Sequence, residues 1–112
     1  MIAAYTYGKM IINGTPYITD IIIYPDKIDG NWQRKQGHQV CIDDIAEAIA
    51  KHPEYLIIGT GESGQMSVLP ETQDFVQRSG IQLVFLPTEY AYKMYNDIYA
   101  KRRVIGAFHL AS

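Results

Sequence analysis

The segment Gly59-Thr60-Gly61-Glu62-Ser63-Gly64 follows the apolar run Tyr55-Leu56-Ile57-Ile58 and spells G-x-G-x-x-G. Glycines so spaced let a backbone turn tightly and come close to a phosphate. A dinucleotide site also needs a helix to open inside the motif, so that its N-terminus meets the pyrophosphate. Here the next helix start is Pro70, six residues past Gly64. The acid that would take a ribose hydroxyl, about 20 residues further on, has no clean candidate, since Glu89 stands 25 beyond Gly64. A P-loop fails on one residue: Gln65 occupies the place of the phosphate-binding lysine. Two readings remain. The turn is a strand exit that needs positive φ, or the N–H groups of Thr60 to Gly64 hold a small anionic or polar group.

A second polar cluster is Trp32-Gln33-Arg34-Lys35-Gln36-Gly37-His38. A guanidinium and an imidazole beside a glycine turn suit a carboxylate or phosphate. The alternative is that Arg34 pairs with an acid of the chain and His38 caps a turn. Cys41 and His38 could form a nucleophile–base pair, but three apart on an extended segment they point to opposite faces. His38, His52 and His109 have no i, i+4 spacing, and a single cysteine supports neither a disulfide nor a Cys-rich zinc site. Asp43-Asp44 is explained by helix capping. Tyr90, Tyr92, Tyr95 and Tyr99 either make one helix sticky toward a protein partner or serve as core and boundary residues.

These groups must be positioned by a chain of 112 residues, enough for one domain (1–112) with one core. Ile2 to Tyr5, Met10 to Ile12 and Ile21 to Tyr24 read as strands, with a hairpin signal at Asn13-Gly14. Asn31 to Arg34 reads as a further short strand closed by Gly37. A helix begins at Asp43-Asp44, either acid capping and Glu47 completing a capping box with Asp44, and it stops before Pro53. Tyr55 to Ile58 is a strand covered on both faces, and Met66 to Leu69 is extended or irregular. Pro70-Glu71 opens a second helix with Phe75 and Val76 inward, and Gly80 suits the left-handed residue after it. Ile81 to Leu86 reads as another buried strand. Thr88 caps a third helix with Ala91, Met94, Tyr95 and Ile98 on one face, and Val104 to Leu110 is a last strand.

The second half is thus strand–helix–strand–helix–strand, and right-handed crossovers make its three strands parallel. Ligands gather at the carboxyl ends of such strands. Thr60 to Ser63, Thr88-Glu89 and His109 would therefore share one edge.

The composition narrows function. Hydrophobic residues make up 47% and charged residues 20%, which fits a globular chain and not a disordered one. The net charge is −2, and only Lys101-Arg102-Arg103 is basic-dense, so no nucleic-acid partner is expected. There is no apolar run near 18 residues and no signal-like start, so no membrane role and a cytoplasmic location are expected.

The chain resembles the Mth-type family of domains of unknown function, which includes a mitochondrial complex I assembly factor and an adipogenesis-associated protein. The resemblance runs from Tyr5-Thr6-Tyr7-Gly8 to His109-Leu110. It is carried by Tyr24-Pro25, Trp32-Gln33-Arg34, Gly37-His38, Leu56 to Gly61, Pro87-Thr88-Glu89 with Ala91, and Tyr95-Asn96. The family often closes on Thr-Cys where this chain has Ala111-Ser112. The resemblance implies an α/β fold: a single compact layered domain, a mixed central sheet with flanking helices and an extra N-terminal β-hairpin layer. It implies assembly or regulation and transfers no catalytic residue.

The sequence therefore leads to a non-catalytic interaction module with a protein partner or homo-oligomer. The alternative is a small-anion or polar-ligand site, binding or catalytic, built from Arg34, His38, Thr60, Gly61, Glu62, Ser63, Thr88 and Glu89. No metal or cofactor is expected.

Overall fold

A computed structural model describes all 112 residues. The first strands, β1 (Ile2–Thr6), β2 (Lys9–Ile12) and β3 (Thr15–Tyr17), form an antiparallel sheet in that order. Asn13 and Gly14 both take positive φ, +50° and +82°, which is the twist a two-residue hairpin turn requires. The hairpin signal is correct, but its partner strand is β3. Ile21 to Tyr24 belongs to another layer.

That layer is a five-stranded mixed sheet in the order β5-β4-β10-β7-β9. It comprises β4 (Ile21–Ile23), β5 (Ile28–Asp29), β7 (Tyr55–Thr60), β9 (Gln82–Leu86) and β10 (Val104–His109). β10, β7 and β9 run parallel, as the crossover argument requires, while β4 and β5 add antiparallel. β7 and β10 are central and buried almost throughout. Their period-2 alternation feeds two cores. Leu56, Ile58, Ile105 and Ala107 pack with Ile45, Ala48, Ile49 and Val76 on one face. Ile57, Val104 and Phe108 pack with Ala91, Tyr95 and the N-terminal Ile2, Met10 and Ile12 on the other.

The first face is covered by α1 (Ala46–Ala50), entered through a 3-10 turn at Ile42–Ile45, and by α2 (Pro70–Arg78). A two-stranded parallel patch, β6 (Gln39–Val40) with β8 (Ser67–Val68), closes its side. The second face carries α3 (Thr88–Ile98) and the N-terminal sheet. The layered mixed-sheet α/β fold implied by the family resemblance is the fold observed.

Several local expectations are corrected. Asn31 to Arg34 is not a strand, because its hydrogen bonds go elsewhere: the Trp32 N–H donates to Asp20 O and the Trp32 indole to Asp44 O. Asp44 sits in the first turn, and its carboxylate accepts the Cys41 N–H. Glu47 pairs with Lys27 and forms no capping box. Phe75 faces solvent, and Thr72 takes the inward place, donating to Val40 O. Met66 to Leu69 is extended, as read, with Met66 buried and Ser67–Val68 a short strand. β9 is an edge strand and only half-buried. Thr88 does not cap α3; it is the helix's first residue, preceded by Pro87.

Candidate functional site

The carboxyl ends of β7 and β10 and the start of α3 meet at Thr88. Its side chain accepts the Gly61 N–H at 2.9 Å and donates to His109 O at 2.6 Å. Its own N–H donates to Gly61 O at 2.9 Å. One buried hydroxyl thus joins two strand ends to a helix start, which is why a small hydroxyl residue is needed there. Gly59 makes room, since a Cβ on it would lie 2.8 Å from Thr88 Oγ1 and 3.2 Å from Thr88 Cα.

Gly61 needs to be glycine for two reasons. Its φ is +101°, a region L-residues avoid. A Cβ there would also meet Ala111 O at 2.6 Å and Ser112 O at 2.8 Å. Gly61 is therefore roofed by Ala111 and Ser112, while Glu62 and Ser63 beyond it are exposed. The Glu62 N–H makes a long 3.4 Å bond to Ala111 O.

Beside this lock lies an ion cluster centred on Asp20, at the entrance to β4. Asp20 Oδ2 accepts from Arg34 Nη2 at 2.8 Å and from His109 Nδ1 at 2.8 Å, and Oδ1 accepts the Leu110 N–H at 2.8 Å. The carboxylate contact places a proton on His109 Nδ1. Burial alone would raise the Asp20 pKa. The hydrogen bonds from His109, the Leu110 N–H and Arg34 outweigh it and hold the group below its ordinary value. The Arg34 side chain is 6% exposed. It lies over the Trp32 ring at 4.6 Å and also donates to Gly37 O. The stacking and the fork of donors explain why arginine and not lysine serves here.

Two atoms in the cluster are buried without a partner, Arg34 Nη1 and His109 Nε2. The His38 ring stands edge-on to His109 at 6.0 Å, with Nε2 3.5 Å from Ser112 Oγ.

The residues singled out from the sequence divide in two. Thr60, Gly61, Thr88 and the Arg34 side chain are buried and gathered at this edge, with His38 on its rim. Glu62, Ser63 and Glu89 face solvent, and Glu89 reaches only Lys93. Asp20, the centre of the cluster, was not among the sequence candidates. Lying 89 residues before His109, it shows no motif, and only the antiparallel pairing of β4 with β10 brings it there. The surface clefts lie elsewhere. Two adjoining ones, of about 300 and 320 Å³, share Tyr24, Pro25, Tyr95 and Tyr99. A third, of about 160 Å³, runs between Lys35 and Asp44.

The fold and its site sort the chain among known proteins. A family model described as "Protein of unknown function (DUF498/DUF598)" matches residues 2–109. The chain belongs to this family. The Mth-type resemblance agrees with a Mth938-like domain of Bordetella pertussis, which superposes with a TM-score of 0.78 at 21% identity, covering 97% of this chain and 84% of that one. A conserved hypothetical protein of Pyrococcus horikoshii superposes with a TM-score of 0.85 at 24% identity over 100% of this chain and 99% of its own. Both likenesses show the fold. A relative in Francisella tularensis subsp. holarctica, named a 13 kDa major membrane protein, is 29% identical over 109 residues, covering 91% of this chain and 83% of that one. In this member of the family no helix is long and apolar enough to cross a membrane.

Proposed function

We propose that this protein is a non-catalytic interaction module that assembles with, or regulates, a protein partner. The observation that carries the reading is the distribution of large apolar side chains. Phe75 on α2 is 39% exposed and Phe85 on β9 is 40% exposed, while Tyr90 at the start of α3 is 59% exposed. Exposed aromatics of this size are what buried interface centres are made from. The polar cluster at the strand ends, by contrast, is roofed and largely satisfied within the chain. Of the three tyrosines of α3 and Tyr99 just past its end, Tyr95 is buried and Tyr92 packs on Tyr5 at 6.1 Å, which leaves Tyr90 and Tyr99 exposed for contact.

Affinity capture at native expression levels, followed by cross-linking, tests the proposal. A partner should be recovered by the wild-type chain and lost with Phe75→Lys or Tyr90→Lys. A monomeric chain that recovers no partner would overturn it. A cytoplasmic location belongs to the same proposal and sits against the Francisella relative's membrane-protein name. Cell fractionation that leaves the chain in the membrane pellet would refute it.

A second reading has one observation in its favour, the two unpartnered nitrogens of Arg34 and His109. A small anion or polar group reaching them from beneath Ala111-Ser112 would accept from Arg34 Nη1, and would meet His109 Nε2 as donor or acceptor according to whether that nitrogen carries a proton. Phosphate, sulfate and carboxylates should then raise the melting temperature of the wild-type chain but not of Arg34→Gln. No shift with any of them would remove this reading.

A further inference from the structure

We infer that β9 is a pairing edge and that its occupant is β9 of a second copy, in antiparallel register about a two-fold axis at Val84. The inference rests on the interaction-module reading and gives it a partner.

The hydrogen-bond directions along β9 are fixed by its inner neighbour. The Gln82 N–H donates to Glu54 O, and β9 pairs with β7 in unbroken parallel register from Gln82 to Leu86. In a parallel ladder the N–H and C=O of alternate residues point to the same side. Gln82, Val84 and Leu86 therefore turn toward β7, and Leu83 and Phe85 turn outward. The outward ladder is ended at both sides. The Ile81 N–H is used by Val76 O, and Pro87 has none. Two donors and two acceptors remain, on Leu83 and Phe85.

A two-fold axis at Val84 satisfies all four at once. Leu83 of one copy faces Phe85 of the other, and each such pair exchanges two N–H···O=C bonds. Val84 faces its own mate at the axis. The side chains agree with the backbone. Leu83 packs with the α2-side core, and Val84 and Leu86 with the α3-side core, so the alternation places Leu83 and Phe85 together on the α2 side. Leucine would oppose phenylalanine twice on that side and valine would oppose valine on the other, pairings that favour strand association. The strand Gln-Leu-Val-Phe-Leu carries no charge, so no like charges face each other between the two paired strands.

Edge strands are ordinarily blunted by shortness, charge, bulges or proline. The opposite edge obeys this rule. β5 has two residues, one of them Asp29, and Lys27 stands just before it. β9 has five residues with no charge, bulge or proline among them, and Pro87 comes only after its last residue. Phe85, next to its central Val84, is 40% exposed, and Phe75 stands on the same side of the sheet.

Sedimentation equilibrium over a wide concentration range tests the pairing, with wild type, Phe85→Lys and Phe85→Pro compared. Circular dichroism confirms that each variant is folded. Both changes leave the β7 ladder intact, because the Phe85 N–H points away from it. Wild type should dimerise, and each variant should weaken the dimer at least about tenfold, a factor that corresponds to 1.4 kcal/mol. A wild-type chain that stays monomeric, or a dimer indifferent to both changes, overturns the self-pairing. The interaction-module reading fails separately. It survives a monomer that binds a different protein through the same residues and falls with a monomer that binds nothing.

Discussion

Two margins of the central sheet have opposite characters. At the carboxyl ends of β7 and β10, Asp20, Thr88 and Gly61 tie distant segments together, and the Gly61 of a turn that looks suited to phosphate is roofed by Ala111 and Ser112. Along β9, backbone groups and a phenylalanine face outward with nothing over them. Polar residues grouped at strand ends can thus be structural, while an apolar strand without charge can be the surface that meets other molecules. Position in the sheet decides between these roles, and residue type alone does not.

If the polar margin is a strut, its loss should damage folding more than any change along β9. Asp20→Ala leaves a buried guanidinium, an imidazole and the Leu110 N–H without their acceptor. Breaking such a cluster costs about 3–5 kcal/mol, measured as urea-unfolding stability, and a loss below about 1 kcal/mol would deny the strut. Gly61→Ala forces a side chain into positive φ and against two carbonyls, and should cost about 2–3 kcal/mol. Thr88→Val keeps the shape but leaves the Gly61 N–H and His109 O unpaired, for about 1–3 kcal/mol. Phe85→Lys should change monomer stability by no more than about 0.5 kcal/mol, as expected of a surface position.

The pH dependence sharpens the same contrast. Asp20 has a folded pKa below its unfolded value, which is about 4. Its contribution is therefore complete above the unfolded value and is lost as pH falls through the folded one. Wild type should lose stability across that acid window, and Asp20→Asn should lose less over the same interval. Parallel pH curves for the two proteins would show that the cluster is not the acid-sensitive element.

The fold was legible because its signals are local. Asn13-Gly14 marks a hairpin, the apolar runs at Leu56 and Ile105 mark strands buried on both faces, and Pro70 and Gly80 bracket a helix. The parallel order followed from crossover handedness. The site was legible only in part. Thr60, Gly61 and Thr88 could be placed at one edge from topology, but whether that edge was open depended on Ala111 and Ser112, whose path no local pattern encodes. Asp20 was missed because a single aspartate before an isoleucine run looks like any turn residue. Phe75 reads as inward because it is apolar beside Val76, yet the helix face turns on Thr72, whose hydroxyl donates to Val40 O. β9 looked buried because its composition matches that of β7, and composition does not say which strand ends a sheet.

The most direct measurement of the account is amide hydrogen exchange at single-residue resolution along β9 as protein concentration is raised. The Val84 and Leu86 N–H groups should be protected at every concentration, because they bond to β7. The Leu83 and Phe85 N–H groups should exchange rapidly in dilute protein and become protected together as the dimer forms. Rapid exchange of Leu83 and Phe85 at every concentration would contradict the pairing edge.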